Sequence, residues 1–146
     1  EDGIYHPTDI NVGIVTAVDG GLLIPVVKRA GELALSEIVS ESKVLVQRAR
    51  SGKPKGDDLS GGTFSISNMG IAKVDQFTAI ISPGQGGILS VAPMQEVPIV
   101  KDGRVDVGQV LQLTLSVDHR IIDGVSCGQF MTELVTLLEE PVLLLA

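Results

Sequence analysis

The chain has 146 residues and a net charge of −7, with 44% apolar and 20% charged residues, a composition typical of one globular domain and not of a disordered chain. Its acidic balance disfavours binding to nucleic acid or to an anionic membrane surface. No apolar stretch approaches the roughly 20 residues of a membrane span, so we expect neither a nucleic-acid nor a membrane partner.

The first half of the chain predicts a β-hairpin and then a helix. Apolar, mostly β-branched stretches at residues 11–18 and 22–28 flank a turn signal at residues 19–21. Pro25 lacks a backbone donor, which predicts a sheet edge or a bulge there. Residues 37–51 follow the helical period, with Ser36 as the expected N-cap. The face expected to be buried comprises Ile38, Ser42, Leu45 and Ala49.

Basic residues cluster at the C-terminal end of this predicted helix: Arg48, Arg50, Lys53 and Lys55. Cations at that end complement the helix dipole, which is the favoured interpretation. The same cluster could instead meet a phosphate. Gly52 is expected to close the helix.

The second half predicts short strands and a second helix. We expect strands at residues 63–67, 88–92, 97–100, 105–107 and 110–117, the third and fourth joined by an Asp102-Gly103 turn. A helix is expected at residues 125–139, ended by Pro141. Its predicted buried stripe comprises Cys127, Phe130, Met131, Leu134 and Leu138. Strands interleaved with two amphipathic helices predict an α/β or α+β layered domain, a two-layer sandwich.

Two sites could support chemistry. His119 directly follows the last predicted strand in a polar loop, where an imidazole of ordinary pKa can act as a general base. Ser67 and Asn68 end another strand, where a hydroxyl can stabilise an oxyanion. From the residues alone, a loop histidine and ordinary turn chemistry remain the simpler interpretations.

The other candidates have structural interpretations. The glycine-rich stretch at residues 84–87 lacks the Lys-Ser/Thr of a phosphate loop and is expected to be a plain loop. Cys127, the only cysteine, lies on an apolar helix stripe, which favours packing over nucleophilic use and excludes an internal disulfide. His6 is assigned no role. One cysteine and two distant histidines argue against a metal site.

Several stretches together resemble a known family. Residues 116–124, SVDHRIIDG, resemble the Asp-His-Arg-x-x-Asp-Gly signature of the dihydrolipoamide acyltransferases of 2-oxo acid dehydrogenase complexes. Further family-like blocks occur in family order: DINVGI at 9–14, GLLIPVV at 21–27, GTFSISNMG at 62–70 and PGQGGIL at 83–89. The resemblance covers essentially the whole chain. Residues 69–77 are more similar to the pyruvate-type acetyltransferases than to the succinyltransferases.

The resemblance implies a fold, a reaction and site residues. It implies part of a chloramphenicol acetyltransferase-like fold and acetyl transfer between dihydrolipoamide and coenzyme A. His119 matches the family's general base, Ser67 the hydroxyl that stabilises the oxyanion, and Asp123 an aspartate with a structural ion-pairing role. No metal is implied, and no residues are assigned to coenzyme A. The lipoyl group is carried by a separate domain.

The resemblance also implies partners. Family members form trimers with the histidine and serine from different chains, and trimers assemble into cubic or dodecahedral cores. The apolar residues 142–146 resemble the contact between trimers. We expect residues 1–146 to be the C-terminal part of the catalytic domain, with the earlier part and the lipoyl and peripheral-subunit-binding domains absent. Those domains would contact the 2-oxo acid decarboxylase and dihydrolipoamide dehydrogenase components.

The sequence leaves more than one compartment and more than one function open. The family resemblance implies the bacterial cytoplasm, or the mitochondrial matrix or plastid stroma in a eukaryote. A non-catalytic assembly subunit of the same fold, a branched-chain acyl specificity, and a hydrolase with Ser67 as nucleophile and His119 as base are the alternatives. The presence of both residues argues against the assembly subunit.

Overall fold

A mixed five-stranded sheet forms the centre of the molecule, in a computed structural model that describes residues 3–145. The strand order is β4-β1-β5-β6-β9, and two further two-stranded sheets pair β2 with β3 and β7 with β8. The strands are β1 (Val12–Ile14), β2 (Thr16–Val18), β3 (Gly21–Leu23), β4 (Val26–Val27), β5 (Phe64–Asn68), β6 (Gly87–Val91), β7 (Gln95–Lys101), β8 (Arg104–Val110) and β9 (Leu113–Val117). The sheet and its helices confirm the α/β layered class.

The predicted first hairpin is present but divided. β1 pairs antiparallel with β4 in the large sheet, and β2 pairs with β3 beyond it. Buried Pro25 lies between β3 and β4, and its carbonyl accepts the Ile14 N–H at 2.8 Å. Because β4 is an edge strand, the predicted edge position of Pro25 is confirmed.

The first helix, α1, spans Leu35–Arg50 and buries Leu45 and Ala49 against the sheet region of β2 and β4. Ser36 is not its N-cap, because the helix begins at Leu35 after Ala34. The Glu37 carboxylate instead accepts the Ala34 N–H at 2.8 Å, which satisfies one free backbone donor. Gly52 follows the helix at φ +69°, as predicted.

One basic residue at the end of α1 has a partner inside the chain. Arg48 Nη1 lies 3.2 Å from the Asp58 carboxylate, and Asp58 is buried. The Asp58 carbonyl also accepts the Val26 N–H at 2.8 Å. Arg48 therefore links α1 to the loop before β5 and is not simply a solvated cation at the helix end.

The segment between β5 and β6 is held to the sheet by serine hydroxyls. Ser90 Oγ accepts the Ala79 N–H at 3.1 Å, and Ser116 Oγ donates to the Ala79 carbonyl at 3.1 Å. Both backbone groups of Ala79 are satisfied by side chains of β6 and β9, so this segment needs no strand of its own.

The second helix, α2, spans Gly124–Glu139 and departs from the sequence prediction. None of its residues is buried, and Phe130 and Leu138 are 45% and 51% exposed. Of the predicted buried stripe, Cys127, Met131 and Leu134 are half-buried, so the side was predicted correctly but not its full burial. The helix packs on the sheet through β9 and through a tilted contact of the Phe64 and Phe130 rings, 6.0 Å apart. A short 3-10 helix, Pro141–Leu145, follows; Ala146 of the predicted apolar tail lies outside the described residues.

Candidate active site

His119 lies in a tight turn between β9 and α2. The Asp118 N–H donates to the Gly86 carbonyl at 2.9 Å, and the Asp118 carbonyl accepts the N–H groups of Ile121 and Ile122 at 3.0 and 3.1 Å. These bonds fix the backbone on both sides of His119, and His119 itself is exposed. The turn thus presents an imidazole to solvent on a backbone that is itself ordered.

An ion pair flanks His119. The Arg120 guanidinium binds the Asp118 carboxylate through Nη2 at 2.6 Å and Nε at 2.9 Å, and the Arg120 N–H donates to the same carboxylate at 3.1 Å. The hydrogen bonds from the Arg120 side chain lower the pKa of Asp118 to about 2. The same contact raises the pKa of Arg120. The two charges beside His119 therefore largely neutralise each other near neutral pH.

Asp123 caps α2. Its Oδ1 accepts the Ser126 N–H at 2.7 Å, and this backbone hydrogen bond is the main reason why the pKa of Asp123 is lowered. The charge of His119 lowers it further, by a smaller amount. Within residues 3–145 Asp123 makes no ion pair, and its observed contact is the cap of α2.

Ser67 lies near the end of β5, and its residue is half-buried. The strand register places Ser67, Ser90 and Thr114 in one row across β5, β6 and β9. Asn68 Oδ1 accepts the Gly70 N–H at 2.7 Å, so the turn interpretation of Asn68 is confirmed.

The single chain does not bring Ser67 and His119 together. Ser67 shares its row with Thr114, at the start of β9, whereas His119 lies beyond the end of that strand. Three residues of β9 and two strand spacings separate Ser67 from Val117, which corresponds to about 14 Å between backbones. The register therefore gives no direct contact between the Ser67 and His119 side chains within one chain.

His119 lines a cavity of about 1060 Å³ that the sequence did not reveal. Its other walls are residues 3–9, Asn11, 61–63 and 81–86, so His6 lines the same space. His6 was assigned no role because nothing near it in sequence suggests a partner. The pairing of β1 with β5, of β5 with β6 and of β6 with β9 brings these segments together.

Gln85 is a second residue that sequence reasoning missed. Its Oε1 accepts a hydrogen bond of 2.7 Å from Ser65, which is fully buried in β5. The loop interpretation is confirmed for residues 84–86, whereas Gly87 begins β6. The pattern gave no sign that this loop contacts both β5 and the His119 turn.

Residues 3–145 contain no group of three or more His, Cys, Asp or Glu side chains that could bind a metal ion. No helix among them is both long enough and apolar enough to cross a membrane.

Residues 1–146 match the family model of the 2-oxoacid dehydrogenases acyltransferase catalytic domain. The chain belongs to this family. Its signature turn at residues 116–124 is the segment that presents His119 and caps α2 with Asp123.

Relatives in the family include the dihydrolipoyllysine-residue acetyltransferase component of the pyruvate dehydrogenase complex of Rickettsia conorii, 33% identical over 99% of this chain. The same organism has a succinyltransferase component of the 2-oxoglutarate dehydrogenase complex that is 37% identical over 96% of this chain. The chain spans about a third of the length of these relatives, 35% in both cases. Other relatives are bacterial or, in Arabidopsis thaliana, chloroplastic.

Solved structures give the same fold. The dihydrolipoamide acetyltransferase of Azotobacter vinelandii superposes with a TM-score of 0.88 at 31% identity, covering 96% of this chain and 58% of that one. That structure addresses the role of a serine, a histidine and an asparagine in the catalytic mechanism. The cubic core of a pyruvate dehydrogenase multienzyme complex also superposes at 0.88, with 30% identity and the same coverage.

Proposed function

We propose that this chain is the C-terminal part of a dihydrolipoamide acetyltransferase catalytic domain, which moves an acetyl group between S-acetyldihydrolipoamide and coenzyme A. The observation that supports this most directly is residue spacing. In the Azotobacter vinelandii enzyme the named serine and histidine are 52 positions apart, and the asparagine follows the histidine by four. Ser67, His119 and Asp123 have the same two spacings.

His119 acts as the general base in this proposal. A thiol with a pKa near 8.5 and an imidazole near 6.5 differ by about two units, so complete proton transfer costs roughly 2.7 kcal/mol. The imidazole takes the thiol proton, the sulfur attacks the thioester carbonyl, and the departing thiolate receives the proton back. No metal is required for this exchange of one thioester for another.

Ser67 donates a hydrogen bond to the oxyanion of the tetrahedral intermediate. Removal of one such donor typically reduces the rate by about 10²- to 10³-fold. Asp123 caps α2 and so fixes the end of the turn that follows His119. It stands at the position where the Azotobacter vinelandii enzyme has its asparagine. The additional negative charge of an aspartate near His119 stabilises the imidazolium that forms during proton transfer.

The site is shared between two chains of a trimer. The separation of about 14 Å between the backbones of Ser67 and Val117 supports this arrangement, since Ser67 and His119 must act on the same reacting centre. His119 of one chain then meets Ser67 of the next around a three-fold axis. Such trimers would build the oligomeric core of a 2-oxo acid dehydrogenase complex, as in the cubic core of the structural relative.

The remaining partners belong to parts of the relatives that this chain does not span. The lipoyl group that delivers the acetyl moiety, and the contacts with the decarboxylase and dihydrolipoamide dehydrogenase components, are assigned to those parts. We place the protein in the bacterial cytoplasm or in the interior of an organelle of bacterial origin. Acetyl is preferred as the acyl group because the superposed structures are pyruvate-type cores.

The test is acetyl transfer from acetyl-CoA to dihydrolipoamide by the wild type, His119→Ala and Ser67→Ala proteins, alone and mixed. Each variant alone should lose at least about 10²-fold in rate. After dissociation and reassembly of an equal mixture, about one quarter of the sites combine an intact histidine with an intact serine, so about one quarter of the activity should return.

Each other outcome identifies a competing function. Full activity of His119→Ala would contradict the base assignment, and an inactive wild type in a stable trimer would favour the assembly subunit. A mixture that stays inactive would contradict the shared site. A covalent acyl-enzyme on Ser67 would favour the hydrolase with Ser67 as nucleophile and His119 as base.

A further inference from the structure

We propose that Gln85 is a positioning residue that sets the location of His119 by linking β5 to the turn at the end of β9. The inference rests on the proposed role of His119 as the base. It concerns contacts within one chain, whereas the shared site concerns contacts between chains.

The first half of the link is a hydrogen bond into the core. The Ser65 hydroxyl, fully buried in the central strand β5, donates to Gln85 Oε1 at 2.7 Å. The Gln85 amide is also confined on its other side, because a Cβ at Gly62 would lie 2.7 Å from Gln85 Nε2. Because Gly62 has no side chain, the Gln85 amide can occupy this space and has a defined position beside β5.

The second half of the link is the next residue. The Gly86 carbonyl accepts the Asp118 N–H at 2.9 Å, which is the bond that begins the His119 turn. A Cβ at Gly86 would meet Ile122 Cδ1 at 3.3 Å and Ile121 Cδ1 at 3.5 Å, so the far side of the turn packs on the same glycine. A shift of Gln85 would therefore also move Gly86, and Gly86 contacts the turn on both sides of His119.

A merely structural role of Gln85 predicts lower overall stability with an unchanged turn. A positioning role predicts a local effect at Asp118 and His119. Amide hydrogen exchange distinguishes the two, because the exchange of the Asp118 N–H reports on its bond to Gly86 without any need for enzymatic activity.

The experiment compares Gln85→Ala, Ser65→Ala, the double variant and Gln85→Glu in the complete chain. Loss of one hydrogen bond should accelerate exchange of the Asp118 amide by about tenfold. Each single variant should show this change, and the double variant should add little to it, because both remove the same bond. Gln85→Glu keeps an acceptor for Ser65 and should restore slow exchange.

The matched control is Gln76→Ala, because Gln76 is an exposed glutamine outside the His119 cavity and its loss should leave Asp118 exchange unchanged. In acetyl transfer, Gln85→Ala should lower kcat by about tenfold with little change in KM, since a misplaced base affects the reaction step.

The outcomes separate this inference from the proposed function. Wild-type exchange of Asp118 in both Gln85→Ala and Ser65→Ala would overturn the inference, even if His119 proves essential. Equal transfer by wild type and His119→Ala would contradict the proposed function, and the exchange result would still decide the link. If Gln85→Ala does not fold, Ser65→Ala and Gln85→Glu give the same decision.

Discussion

Removal of the charge of Asp58 should destabilise the fold far more than removal of an exposed carboxylate. Asp58 is 8% exposed, and its carboxylate accepts from Arg48 Nη1 at 3.2 Å and from the Lys55 N–H at 2.9 Å. An amide at this position has only one acceptor atom. In Asp58→Asn, the NH₂ group must therefore face either Arg48 or the Lys55 N–H.

The magnitude follows from the burial of both partners. Loss of one partner of a fully buried ion pair typically costs about 3–5 kcal/mol, because the other charge stays uncompensated. The Arg48 side chain is 28% exposed, so solvent recovers part of this cost. The Arg48 Nε atom is buried without a hydrogen-bond partner among the described residues. The Asp58 carboxylate is therefore the main group that compensates the Arg48 charge. We expect a loss of about 2–3 kcal/mol in the free energy of unfolding.

Urea denaturation followed by circular dichroism measures this loss. For a slope of about 2 kcal/mol per molar, the midpoint should fall by about 1–1.5 M. The control is Glu32→Gln, which breaks the Arg29–Glu32 pair, 3.3 Å long with side chains 63% and 64% exposed. Its effect should stay below about 0.5 kcal/mol. Equal midpoints for the two variants would refute the argument from burial.

Gly13→Ala should lower the free energy of unfolding by about 1–3 kcal/mol, because its Cβ would lie 2.8 Å from Ser65 Oγ in the packed sheet. Gly21→Ala, with no heavy atom within 4 Å, serves as its control in the same urea titration. Asp118 has a pKa of about 2 against an ordinary 3.8, so its ionisation stabilises the fold above about pH 4 and this stabilisation is lost as the pH falls to 2. The difference in urea midpoint between wild type and Asp118→Asn should therefore shrink over that window, and a constant difference would contradict the ion pair.

Local signals in the sequence predicted local structure well. The Asp102-Gly103 turn is present with both residues at positive φ, 52° and 73°, because these residue types tolerate that conformation. The helical face of α1 was also predicted correctly, since Leu45 and Ala49 are buried. In both cases the signal lies within one short segment: residue type at the turn, and the spacing of apolar residues along the helix.

Features that depend on distant contacts were not predictable. The apolar stripe of α2 indicates which side of the helix can be buried, but not whether this chain supplies a surface to cover it. The shared cavity of His6 and His119, and the separation of Ser67 from His119, depend on the strand order and register. For Ser67, His119 and Asp123, the family resemblance named the residues, whereas only the fold shows how far apart they lie.

The strand order also has a consequence during synthesis on the ribosome. The central strands β1, β5 and β6 pair with partners distant in sequence, and β6 is completed only when β9, at residues 113–117, has been made. Until then β6, whose first four residues become buried, is the open edge of a growing sheet. An exposed apolar edge recruits other strands, so a nascent chain stalled before residue 113 would be the form of this protein most in need of a chaperone.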